Sequence, residues 1–283
     1  MAMRRVGAVV AICVVVVALA SSAFAQTKQS IWDKIQSSGV MVTGIIAASG
    51  AGSYKDLSTG TYKGYYVNFA QGIAEDLSKA MGRPIKLEFA ETSWATVVMD
   101  LQAGRIDIWT GMSETPERLK ALDMAGPMYV LAHCYVNRKG LEGLKTWEDY
   151  NKPEIKISVT IGTSDEAAVK QNSPKATFLG FKDTSTALLA VHSGRADAVA
   201  TSVFTCLDMK KRNPDVGKIV FPEPVKSLPS SAGMRKDGDG RFHEFMKTWA
   251  AKNRASGATK KMIISALRDA GLNPDELPPD TPF

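Results

Sequence analysis

PIKLEFAETSWATVVMDLQAGRIDIW, residues Pro84 to Trp109, carries the fold in miniature. Pro84 to Phe89 alternates apolar and polar as a strand does, and Trp94 to Gln102 has its apolar residues at helical spacing. Gly104 stops that helix, and Arg105 to Trp109 reads as a second short strand running into a polar loop. Strand, helix, strand in so few residues describes a parallel sheet covered by helices.

The rhythm extends in both directions. Upstream, a short amphipathic helix at Ile31 to Ser37 precedes an apolar strand at Val40 to Ala47, and a Gly/Ser-rich loop runs through Gly60. From Val67 to Met81 the positions Val67, Phe69, Ile73, Leu77 and Ala80 mark one helix face, which Gly82 and Pro84 end. Downstream the pattern restarts: strands at Lys156 to Thr160, Lys175 to Phe181 and Ala196 to Ala200 alternate with helices at Asp165 to Gln171 and Thr184 to Ser193. A second α/β lobe follows. The extended stretches Met128 to Arg138 and Lys226 to Arg235 bracket this unit as two crossovers, and helices at Arg241 to Arg254 and Thr259 to Ala270 return to the first lobe. The expected division is 26–131 with 226–283 for a discontinuous first lobe, and 132–225 for the second.

The first 25 residues read as a signal peptide. Arg4 and Arg5 form a charged head, Ala8 to Ala20 an apolar run, and Ala23-Phe24-Ala25 a small-x-small cleavage motif. The run is shorter than the roughly 20 residues a bilayer span requires. Cleavage after Ala25 releases a soluble periplasmic protein.

With 35 Lys and Arg against 29 Asp and Glu, the charge is mildly positive and scattered, which disfavours a nucleic-acid partner. His133, His192 and His243 lack metal-ligand spacing, so neither a metal nor another cofactor is expected. Cys134 and Cys206 can pair in an oxidising compartment, but a chain this long has no need of a staple, and two small buried thiols are the expectation.

In open α/β sheets, ligands bind beyond the carboxyl ends of the strands, where loops enter helix N-termini. Two turns fit. Thr110 to Arg118 opens a helix with Thr115 as N-cap and Pro116 at its first position. Gly111 lets backbone approach a ligand, Ser113 offers a hydroxyl, and Arg118 a planar fork for a carboxylate. Ile161 to Glu166 is the matching turn, where Gly162, Thr163 and Ser164 present backbone N–H groups and hydroxyls to the same anion. Taken singly, Arg118 also fits a surface arginine and Thr163 or Ser164 an ordinary helix cap.

Taken in order, these motifs resemble the periplasmic polar amino-acid binding proteins of ABC importers, the family 3 extracellular solute-binding proteins. The resemblance covers nearly all of the chain after the signal. It rests on Tyr62 to Phe69, on Trp94 with Leu101 to Asp107, on Ser113 to Arg118, on Gly126 to Tyr129, on Gly162-Thr163-Ser164 and on Gly194 to Val199. It implies a type II, Venus-flytrap periplasmic binding protein with two crossover strands as its hinge. Such a protein is a monomer that binds a small carboxylate or amino-acid-like solute by hinge closure and delivers it to an inner-membrane ABC permease. It further implies a carboxylate clamp of Arg118, Ser113 and the Gly111 backbone facing Thr163 and Ser164, with Trp94 stacking on the ligand, although a core tryptophan is the other reading of Trp94.

Departures from the family pattern bear on the solute. Ser202, after Thr201, stands where family members that bind α-amino acids usually carry an Asp, and Gly44, Tyr66 and Asn68 replace other acids. Burying an ammonium without an anion costs several kcal/mol. The expected solute therefore keeps its carboxylate but lacks a primary α-amine or carries a substituted one, with Thr201 and Ser202 giving neutral hydrogen bonds, unless Glu91 or Asp165 supplies the missing charge. The fold also hosts a periplasmic dehydratase of the cyclohexadienyl or arogenate type. Such chemistry needs a placed acid or base, and Glu91, Glu114, Asp165 and Lys182 lie in no matching motif, so no enzyme is expected. An accessory or sensory binding protein is a third reading.

Overall fold

In the computed structural model, residues 29–277 are described; the expected signal peptide lies outside them. The helix Tyr65–Met81 shows how the sequence builds the first lobe. Gly64, at φ 121°, turns the chain into it against the Gly52 carbonyl, and Gly82, left-handed at φ 64°, ends it. Between them Tyr65, Phe69, Ile73 and Leu77 are buried in one core with Ile35, Met41, Leu101, Ile108, Met246, Trp249 and Ile263. Each such fully buried apolar side chain contributes roughly 1.5 to 3 kcal/mol. The C-terminal helices Arg241–Ala255 and Ala258–Asp269 share this core.

Strand Val40–Ile45 pairs in parallel with Lys86–Glu91, and Thr43 bridges in parallel to Ile108. The strand expected at Arg105 to Trp109 lies instead at Trp109–Ser113. The buried Asp107 side chain explains the delay: its carboxylate accepts from the Val42 amide at 2.9 Å and from Lys34 Nζ at 2.7 Å, so a side chain makes the contact a ladder hydrogen bond would otherwise make. The helix expected from Trp94 starts only at Val97, because Ser93 and Thr96 close a turn whose Ser93 carbonyl accepts from Val97.

Two long strands join the lobes. Leu122–Asn137 pairs antiparallel with Ser227–Arg235 from Leu122↔Arg235 to Ala132↔Ser227, and its far end, His133 to Asn137, pairs with Ala198–Ser202 of the second lobe. Beyond it Lys156–Thr160 pairs in parallel with both Ala198–Ser202 and Thr177–Phe181. This sheet is buried on both faces. Val136 and Val199 face one core with Ala187, Val191 and Met209, while their neighbours Tyr135, Ala198 and Ala200 face the other with Trp147, Tyr150 and Ile157, the alternation a strand imposes.

Two features of this lobe differ from the sequence reading. Helix Val203–Arg212, left unassigned there, follows directly on Ala198–Ser202; Lys210, Lys211 and Arg212 occupy its last turn, at the negative end of the helix dipole. Cys134 and Cys206 are not separate thiols but a disulfide. Cys134 lies opposite Thr201, and the helix beginning at Val203 folds back to bring Cys206 to it, a proximity set by topology and invisible in the spacing.

Candidate functional site

Where the lobes meet, a cavity of about 40 Å³ is enclosed by residues of both. All nine residues picked from the sequence lie at this seam. Trp94, Gly111, Ser113, Arg118, Thr163, Ser164, Thr201 and Ser202 line the cavity, while Gly162 closes the rim beside Trp94. The space holds little more than a few waters, so a solute enters only as the lobes part.

Arg118 is placed by the helix Pro116–Ala121, whose N-cap Thr115 accepts from the Arg118 amide. Its guanidinium is buried and points inward: Nη1 donates to the Ser113 carbonyl at 2.9 Å in its own lobe, Nη2 to the Gly162 carbonyl at 3.0 Å in the other. The half-buried ring of Trp94 lies 5.6 Å below it and edge-on to Trp109 at 5.1 Å. Trp94 is thus a wall of the cavity that also packs against the first-lobe core. Burial pushes the Arg118 pKa down, opposed by Tyr66 and Asp165, yet arginine starts so high that it stays charged near neutrality. No ion pair joins Arg118 to a carboxylate among the described residues. A desolvated cation whose hydrogen-bond acceptors are carbonyl dipoles has the chemistry to take up an anion.

The second lobe presents the N-terminus of helix Ser164–Asn172. Ser164 Oγ donates across the seam to Ser113 Oγ at 3.0 Å. Thr163 reaches the cavity, but its hydroxyl is committed to the helix, accepting from the Glu166 amide and donating to the Thr160 carbonyl at 2.7 Å. Its contribution to an anion is therefore the helix terminus it holds, not its own hydroxyl. Gly111 is required by closeness: a Cβ there would stand 2.7 Å from both the Tyr129 hydroxyl and the Tyr66 ring. Thr201 and Ser202 end strand Ala198–Ser202 on the second-lobe wall, with Ser202 Oγ 3.3 Å from Thr205 Oγ1.

Sequence reading missed Ser49, Tyr65, Tyr66, Thr160, Thr184 and Thr205, which also line the cavity. Thr160 ends a strand and Thr184 begins a helix, the positions where ligands gather in such sheets, so that signal was present. Of the acids weighed as substitutes for the absent aspartate, Asp165 lines the cavity, whereas Glu91 lies outside it, bonded at 2.5 Å by the Tyr62 hydroxyl. Glu114 likewise lies outside, accepting from Ser231 at 2.5 Å.

Gly162 gives a first prediction. At φ 83° it occupies the left-handed region, and a Cβ there would lie 2.5 Å from the Trp94 carbonyl of the opposite lobe. Gly162→Ala should hold the lobes apart and weaken solute affinity about tenfold, a cost of roughly 1 to 2 kcal/mol in strain and contact. Titration calorimetry on a tightly binding solute checks it, and unaltered affinity would show that this contact is not part of closure.

Two α/β lobes, a pair of strands crossing between them and a polar cavity at the seam define a type II periplasmic binding protein. The chain belongs to the bacterial extracellular solute-binding proteins, family 3, whose model matches residues 45–263. It is 26% identical over 245 residues to the ABC transporter glutamine-binding protein of Bacillus subtilis, covering 81% of this chain and 88% of that one. The L-cystine-binding protein of Escherichia coli is 25% identical over 217 residues, covering 75% and 76%. A crystal structure of an ancestral amino acid-binding protein, described as a precursor of cyclohexadienyl dehydratase, superposes with a TM-score of 0.72 at 30% identity, covering 84% of this chain and 99% of that one. The named relatives are binding proteins. Among the described residues no helix is long and apolar enough to cross a membrane.

Proposed function

We propose that this chain is the periplasmic solute-binding component of an ABC importer and that it closes on a small, carboxylate-bearing, amino-acid-like solute. The carrying observation is Arg118, a buried guanidinium that donates to carbonyls of both lobes and has no carboxylate partner among the described residues. On this reading the solute's carboxylate meets Arg118 and Ser113 from the first lobe and the N-terminus of Ser164–Asn172, with Ser164, from the second. Trp94 packs against the solute, and Thr201 and Ser202 offer it neutral hydrogen bonds. Because the anion touches both lobes, it stabilises the closed form over the open one.

Leu122–Asn137 and Ser227–Arg235 act as the hinge between 26–131 with 226–283 and 132–225. Residues 1–25 direct secretion and are removed after Ala25, and the protein works as a monomer that an inner-membrane permease recognises when closed. No bond is made or broken: among the described residues the cavity's one carboxylate is Asp165, already bonded to His133, and Glu91 and Glu114 are engaged elsewhere. Calorimetry against common L-amino acids and their amine-free carboxylate counterparts tests the reading. Binding of neither class overturns it, as does turnover of prephenate or arogenate.

A further inference from the structure

The proposed binding site contains a second charge that the family motifs do not account for. Among the described residues lining the cavity, only Arg118 and Asp165 are charged; the rest are chiefly hydroxyls and aromatic rings. Asp165 stands in the first turn of helix Ser164–Asn172 and is only 8% exposed. Its Oδ1 lies 2.6 Å from Nδ1 of His133, itself 6% exposed, and no donor from the described residues is bonded to Oδ2. The carboxylate lines the same cavity as the Tyr66 phenol and the Arg118 guanidinium.

His133 is well placed to govern that charge. It sits on the crossing strand directly opposite Ser202, the position left without an acid, and its amide donates to the Lys226 carbonyl at 3.0 Å. Its ring lies edge-on to Trp147 at 6.4 Å. The imidazole separates the cavity from an outer groove whose charged residues are Glu114, Glu117, Lys170 and Lys226. Of these, Glu114 is bonded by Ser231, Lys170 pairs with Glu166 at 2.6 Å, and Lys226 bonds Asn172 over the Trp147 ring. Among the described residues only Asp165 is bonded to the imidazole.

We infer that Asp165 is the counter-charge for an ammonium group on the solute, taking over the role of the acid absent at Ser202, and that His133 sets how much of this charge the cavity presents. The inference rests on the reading of Arg118 as the carboxylate site. Together the two side chains offer a zwitterion one positive and one negative partner. With His133 neutral, Asp165 is an anion with Oδ2 open to an ammonium. With His133 protonated, the pair is neutral: an ammonium loses its partner, and an amine-free carboxylate loses a repulsion. Acidification therefore weakens the binding of amino acids and strengthens that of their amine-free analogues.

The test is titration calorimetry with the twenty common L-amino acids and their 2-hydroxy counterparts, at about pH 8 and about pH 5.5. The wild-type protein should prefer an amino acid over its hydroxy counterpart by roughly 10- to 100-fold at the higher pH, the value of one charge-assisted hydrogen bond, and by less at the lower. Asp165→Asn should lose that preference at both, and His133→Gln should keep it without its pH dependence. The wild-type comparison needs no variant, so a poorly folding Asp165→Asn leaves the test intact. If Arg118→Met abolishes binding while Asp165→Asn keeps the full preference, or if the wild type prefers hydroxy acids at pH 8, the inference is overturned and the carboxylate site stands. If Arg118→Met binds as the wild type does, the carboxylate site is overturned, and this inference with it.

Discussion

Arg118→Met is expected to weaken solute binding by at least a hundredfold, and by about a thousandfold at the middle of the range, while leaving the unliganded protein as stable as before or more so. The size follows from two hydrogen bonds between a guanidinium fork and a carboxylate, each worth roughly 1.5 to 3 kcal/mol. The sign of the stability effect follows from the burial of the cation. Arg118 is 6% exposed, and its two bonded acceptors are neutral carbonyls, Ser113 and Gly162. Such a charge is costly to desolvate, and an apolar side chain of similar length removes that cost. A residue kept for structure would behave oppositely, losing stability on replacement. Calorimetry for the solute and urea unfolding of the free protein separate the two. Retained affinity together with lost stability would make Arg118 a structural residue and leave the cavity without its anion site.

Much of this arrangement was legible because strand and helix punctuation is local. The caps at Thr115 and Thr163, the stops at Gly82 and Gly104 and the turn at Gly162 each follow from one or two residues, and they set where the site's loops fall. The errors lie where a distant partner overrides local signals. The first crossover was expected from Met128; the strand in fact begins at Leu122, because Ser227–Arg235 pairs along its whole first half and a register shift between Ser230 and Ala232 accommodates the irregular stretch. The disulfide needed the fold-back of a helix that the sequence did not advertise. Asp165 reads as an ordinary acid in a first helical turn, favourable there on dipole grounds alone. Its direction into the cavity depends on His133, thirty-two residues earlier on a strand that pairs elsewhere.

Asp107→Ala should lower stability by about 3 to 5 kcal/mol, the cost of breaking a buried ion pair by removing one partner. The Asp107 side chain is 0% exposed, accepts from Lys34 Nζ with both oxygens at 2.7 Å, and satisfies the Val42 amide at 2.9 Å. Alanine leaves that buried amide without an acceptor and the Lys34 ammonium without its anion. Lys34→Ala should also be costly, because it leaves the fully buried Asp107 carboxylate with the Val42 amide but without its cation. Urea unfolding is the test: a midpoint for Asp107→Ala no lower than that of the wild type would mean that neither the ion pair nor the link to the strand holds this region. The consequence reaches the site. Asp107 fixes where the chain enters Trp109–Ser113, and that strand carries Gly111 and Ser113 and leads directly into the turn that aims Arg118. An Asp107→Ala protein that still folds should therefore bind solute more weakly, though none of its cavity residues has been changed.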